Sequence, residues 1–142
     1  MSDSPKLGAV AVVLHENLVL LVKRKKNPNA GLWGFPGGHV ELGETGLECA
    51  VRELYEETSV VAEPIRYLTN IDLIHQADDG SIAFHYLLAV VHCNYQKGRP
   101  VAGDDAADAA WFSIPDVLSN TLKVTEGVRE ITQMLIREHP QK

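Results

Sequence analysis

At 142 residues, with 45% apolar and 23% charged side chains, the chain has the length for one domain built on one hydrophobic core. A formal charge of −6 argues against nucleic acid or an anionic membrane as a partner, and a polyanionic ligand would need metal ions as go-betweens. Cys49 and Cys93 are too few for a disulfide framework and form no CxxC pair. There is neither an apolar leader nor a run of 18 apolar residues, so a reducing cytoplasm is the expected location.

Residues 7–14 are almost wholly apolar, and residues 18–22 are apolar again after His15-Glu16-Asn17, which predicts two buried strands joined as a hairpin. The basic run Lys23, Arg24, Lys25, Lys26 and the turn Asn27-Pro28-Asn29 end the second strand. From Trp33 through Gly34, Phe35, Pro36, Gly37 and Gly38 the chain reads as a bent glycine loop anchored by aromatics. Thr45 followed by Glu48 is a capping box that starts a helix. Leu47, Ala50, Val51, Leu54 and Thr58 form its apolar face, with Cys49 on the opposite side. Strands are expected over 65–74 and 82–95, separated by Asp78-Asp79-Gly80, the second apolar and β-branched enough to be central. A short strand over 110–113, a helical turn over 115–118 and an amphipathic helix over 125–138 complete the chain. Strands interrupted by one helix and closed by another imply an α/β sandwich with a mixed sheet.

Glu53, Glu56 and Glu57 stand at i, i+3 and i+4, within one arc of about 100° on the helix. Like charges so spaced cost roughly 0.2–0.5 kcal/mol per pair on an isolated helix. A divalent cation would reverse that cost, and hard oxygen ligands suit Mg²⁺ or Mn²⁺.

The full spacing is Gly38, five residues, Glu44, seven residues, Arg52-Glu53-Leu54, one residue, Glu56-Glu57, two residues, Val60. This pattern over 38–60 resembles the Nudix box, and the WGFPGG approach, the later apolar strand and the acidic loop before Trp111-Phe112 follow in the family's order. The resemblance implies the Nudix α/β/α sandwich and Mg²⁺-assisted attack of water on a nucleoside diphosphate linked to another moiety. It implies Glu53, Glu56, Glu57 and the Gly38 carbonyl as metal ligands, Arg52 as the residue that orients a box glutamate, and Glu44 as support for the loop or an outer metal. The general base is expected to be Glu53, with Asp105 or Asp108 from the later loop completing the metal shell and Asp104 the weaker candidate. Arg24 is expected at a substrate phosphate, and Phe35 and His85 in the substrate pocket. A small-molecule nucleotide partner and pairing into a homodimer are likewise implied. Proteins of this resemblance include ADP-ribose pyrophosphatases and nucleoside triphosphate pyrophosphohydrolases. Ile74 and His75 stand where ADP-ribose-specific members tend to have proline, and Gln76-Ala77 lacks the tyrosine of dinucleoside-polyphosphate members, so the leaving group stays open. A nucleotide sensor of the same fold that does not cleave is the alternative. Ser59 departs from the family's usual glycine just past the helix, a position that often needs positive φ.

Overall fold

The computed structural model describes residues 4–27 and 29–138. β1 (Lys6–His15) and β2 (Leu18–Arg24) form the expected hairpin, and its two turn residues, Glu16 and Asn17, are both left-handed at φ 52° and 65°. Pro28, expected in the next turn, lies outside the described residues.

The glycine-rich approach is more ordered than a bent loop. Trp33–Gly34 is a short strand, β3, against β2, and Gly37–His39 is another, β4, antiparallel to β1 with Gly38 opposite Ala9. A Cβ on Gly37 would come within 2.3 Å of the Ala9 carbonyl oxygen, so only glycine lets β4 lie this close to β1.

The capping box of Thr45 and Glu48 starts helix α1 (Gly46–Thr58) as expected. β5 (Val61–Gln76) and β6 (Ile82–Lys97) follow as a long antiparallel hairpin. β7 (Ala106–Ser113) begins earlier than expected, because the small residues Ala106 and Ala109 pack against Val22 while the strand pairs along β2. The helical turn α2 (Ile114–Leu118) follows it. Helix α3 (Val128–Glu138) begins later than expected, after Gly127 at φ 93°.

β6 runs parallel to β1 from Tyr86 to Cys93 and antiparallel to β5, so it is interior and the sheet is mixed. The two-residue period of β1 divides the core into two layers. Ala9, Ala11 and Val13 pack with Ala50 and Leu54 of α1, whereas Val12 packs with Ile131 and Leu135 of α3. The result is a helix on each face of a mixed sheet, the α/β sandwich expected.

Cys49 corrects the helical-face reading. It is fully buried rather than opposite the core, because β4 covers that flank of α1; its thiol points at the carbonyls of His39 and Gly38, 3.3 and 3.6 Å away. Burial first of all, aided by the nearby carboxylates, pushes the thiol up to about 11.

At the C-terminus of α1, Ser59 is left-handed at φ 64° and donates its N–H to the Tyr55 carbonyl. A serine held there carries a steric cost of roughly 1 kcal/mol that glycine avoids. Ser59→Gly is expected to raise the melting temperature by about 3 °C in a thermal melt of a chain this size, with catalytic activity unchanged. A clear loss of activity in that variant would contradict a purely conformational role.

Candidate active site

α1 presents its carboxylates beneath the β4 loop, and Arg52 organises them. Its Nε and Nη2 donate to the two Glu44 carboxylate oxygens at 2.6 and 3.0 Å, a bidentate pair, while Nη1 donates to Glu53 at 3.3 Å and Glu56 at 3.2 Å. Nη2 also donates to the His39 carbonyl at 3.0 Å, tying the helix to β4. Of the two i, i+4 partners available to Arg52, only Glu56 is engaged; Glu48 is occupied by the capping box. The guanidinium holds Glu44 down to about 2, helped by the Glu41 N–H that donates to the same carboxylate.

Glu53 and Glu57 experience the opposite field. Burial raises Glu53, the charges of Glu56 and Asp104 add to it, and Arg52 offsets part of the shift. Glu57 is pushed up to about 8, chiefly by burial, then by the charge of Glu53 and more weakly by Asp105, against the Gly37 N–H and Arg24, which favour its ionised form. Gly38 is required here for a second reason, since a Cβ at that position would meet a Glu53 carboxylate oxygen at 2.2 Å. Glu53 thus lies directly on the backbone whose carbonyl the resemblance names as a ligand. Glu56 is more exposed, on the outer side of the cluster.

Glu53 and Glu57 border a cavity of about 650 Å³, whereas Arg52, Glu44 and Glu56 are not among its lining residues. Arg24, Phe35, Gly38, Glu53, Glu57 and Asp105 all line it, so most of the sequence-derived site converges on one place. Asp105 is paired with Lys26 at 3.1 Å. Phe35 faces the cavity while also packing against the core under α3, whereas Trp33 sits edge-on to Phe112 at 4.7 Å as an anchor.

His85 requires a correction. Strand alternation turns Phe84, Tyr86 and Leu88 toward the cavity, and His85 shares the opposite face of β6 with Leu87 and Ala89. Asp108 is not among the cavity-lining residues; its carboxylate accepts from the N–H of Ala109 at 2.8 Å. Residues absent from the sequence-derived site also line it, among them His39 and Tyr86, joined through Nε2 and the phenol oxygen at 2.7 Å. The two-residue period of β6, carried back from buried Val90, identifies Tyr86; nothing in the spacing identifies His39.

Among the described residues no three His, Cys, Asp or Glu side chains stand together as a finished metal centre. The donor chemistry nonetheless fits a hard divalent cation: two carboxylates whose charge is disfavoured by burial and by each other lie beside a glycine backbone, and a cation there would offset both penalties.

A family model for the NUDIX domain matches residues 5–135. The chain belongs to the Nudix family. It is 34% identical over 110 residues to an ADP-ribose pyrophosphatase of Methanocaldococcus jannaschii, covering 78% of this chain and 63% of that protein. It is 36% identical over 88 residues to Phosphatase NudJ of Escherichia coli O1:K1, covering 61% of this chain and 54% of that protein. The chain therefore spans about half to two thirds of the length of these curated relatives. Among solved structures, the MutT NUDIX hydrolase from Burkholderia pseudomallei superimposes with a TM-score of 0.79 at 26% identity, over 94% of this chain and 99% of that one. No helix of the described residues is long and apolar enough to cross a membrane.

The raised Glu57 has a consequence for stability when cations are chelated. An unfolded glutamate titrates near the ordinary value of 4.5 and the folded one near 8, so between those values the folded chain holds the extra proton. Stability contributed by this group therefore falls as pH rises through that window and levels off above about 8. In EDTA, Glu57→Gln is expected to gain on the wild type by at least about 3 °C between pH 5 and pH 9, after allowance for solvent screening. Parallel melting profiles for the two proteins would show that Glu57 is not strained by its surroundings.

Proposed function

We propose that this protein hydrolyses a phosphoanhydride bond in a nucleoside diphosphate linked to another group, using Mg²⁺, with Mn²⁺ as a substitute. The observation that carries this reading is the pair Glu53 and Glu57, both disfavoured as bare anions, beside the Gly37-Gly38 backbone in a cavity large enough for a nucleotide. Family membership and the names of the relatives support a pyrophosphohydrolase, with an ADP-ribose-like compound or a nucleoside triphosphate as substrate.

Phosphoryl chemistry asks the protein mainly for positioning and charge compensation. In this reading Glu53, Glu56, Glu57 and the Gly38 carbonyl would hold the cation, with Asp105 completing the set. A cation held there would supply charge neutralisation of the diphosphate and Lewis-acid activation of the phosphoryl group. Glu53 accepts the proton of the attacking water. The new bond joins the water oxygen to phosphorus as the bridging oxygen departs with the leaving group. Arg52 keeps Glu53 and Glu56 in place by holding both while anchored to Glu44 and to the His39 carbonyl. Arg24, on the cavity wall, meets a substrate phosphate, and Phe35 contributes an apolar surface. The same reading includes one Nudix domain over residues 1–142, a cytoplasmic location, a small-molecule nucleotide as partner and a homodimer.

The test is phosphate-ester release from ADP-ribose, NADH, dinucleoside polyphosphates, sugar nucleotides and canonical or oxidised dNTPs, each with Mg²⁺, with Mn²⁺ and with EDTA. Metal-dependent cleavage is expected, and Glu57→Gln should lower kcat at least about 100-fold, the order of loss expected when a charge-stabilising group is removed from an active site. Wild-type turnover in Glu57→Gln would remove Glu57 from the ligand set. Nucleotide binding without any turnover would make the protein a sensor instead.

A further inference from the structure

Four rings on the cavity wall form a continuous row. His75 and Phe84 are opposite each other on β5 and β6 and stack nearly parallel, with centroids 5.1 Å apart and planes at 8°. Phe84 meets Tyr86 edge-on at 6.1 Å, and Tyr86 meets His39 at 5.3 Å with the hydrogen bond between them. All four line the same cavity as Glu53 and Glu57. Cross-strand pairing explains why His75 faces Phe84. It does not explain why the row continues through Tyr86 to a side chain on β4, or why it is left uncovered. Among the described residues, β1 pairs with β6 no further toward the hairpin tip than Tyr86, so the His75–Phe84 pair lies beyond that pairing, and His75 is exposed. None of the four rings belongs to a core cluster of the described residues.

We propose that this aromatic row is the surface on which the planar base of the nucleotide stacks, with His75 and Phe84 as the residues that select base-bearing substrates. The assignment rests on the reading of the cavity as a nucleotide hydrolase site. The row ends at His39, the residue after Gly38, so a base laid on its outer end directs the attached phosphates inward toward Glu53 and Glu57. Every nucleobase offers a π face, so recognition by stacking discriminates for a base and only weakly among bases.

The probe is 1,N6-ethenoadenosine 5′-diphosphate in EDTA, whose fluorescence is quenched when its base stacks on an aromatic ring. Wild-type protein is expected to quench it saturably. Phe84→Leu and His75→Ala should each weaken binding about tenfold, and Phe84→Trp should restore it, in line with the usual cost of removing one stacking partner. His75 is exposed, so its loss leaves the fold intact, and circular dichroism checks the Phe84 variants. Equal affinities in wild type, Phe84→Leu and His75→Ala, or no quenching by the wild type, would overturn the assignment. The readout needs neither metal nor turnover. An absence of hydrolysis across the substrate panel, with ring-dependent quenching intact, would therefore defeat the hydrolase reading and leave the base wall standing.

Discussion

Three carboxylates on one face of a helix repel one another, and the rest of the site is arranged around that repulsion. Arg52 relieves part of it by contacting Glu53 and Glu56 while its other edge is fixed to Glu44. A lysine could not substitute, because a point charge cannot hold a bidentate pair on one side and two further carboxylates on another. Glu57 draws instead on the Gly37 N–H and, more weakly, on Arg24, and burial and the Glu53 charge outweigh both. The unrelieved part of the repulsion is thus concentrated on the cavity side of the helix, where a cation has most to gain.

That concentration depends on the sheet as much as on the helix. β1 is paired with β2, β4 and β6, so the strand that supports α1 from below also fixes the glycine backbone beside it. Gly37 and Gly38 serve this arrangement at two different contacts, one against the Ala9 carbonyl and one against the Glu53 carboxylate. Cys49 closes the third side by filling the space between α1 and β4. A small buried side chain is needed there because β4 crosses so near the helix.

Much of this was legible in the sequence, and for identifiable reasons. The hairpin, the capping box and the unbroken apolar run of β1 are local patterns that survive any tertiary context, so they were readable and the structure reproduces them. The spacing from Gly38 to Val60 was equally informative, because it specifies side-chain types at fixed distances along one loop and one helix. The errors share a cause. Cys49 and His85 were each placed by properties of their own segment, but the first depends on what covers a helix flank and the second on which face of a sixteen-residue strand meets the cavity. Bulges in the β5–β6 pairing show why a long hairpin is hard to phase from sequence alone. His39 was invisible for the same reason, since its partner Tyr86 lies 47 residues away.

The cavity also reconciles a chain of net charge −6 with an anionic ligand. Lys23, Arg24, Lys25 and Lys26 all line it, although a regular strand would send alternate residues to opposite faces. β2 ends at Arg24, so Lys25 and Lys26 are released from strand alternation and the basic run borders one opening. Asp105 tempers it by pairing with Lys26. The opening is therefore cationic on one wall and carboxylate-lined on the other. A polyanion entering between them meets attraction from the first wall directly and from the second only once a metal is bound. Such a division makes cation occupancy a condition for seating the phosphates against Glu53 and Glu57 and for chemistry, but not for stacking of the base, because the bare carboxylate wall repels only the group it is meant to hold.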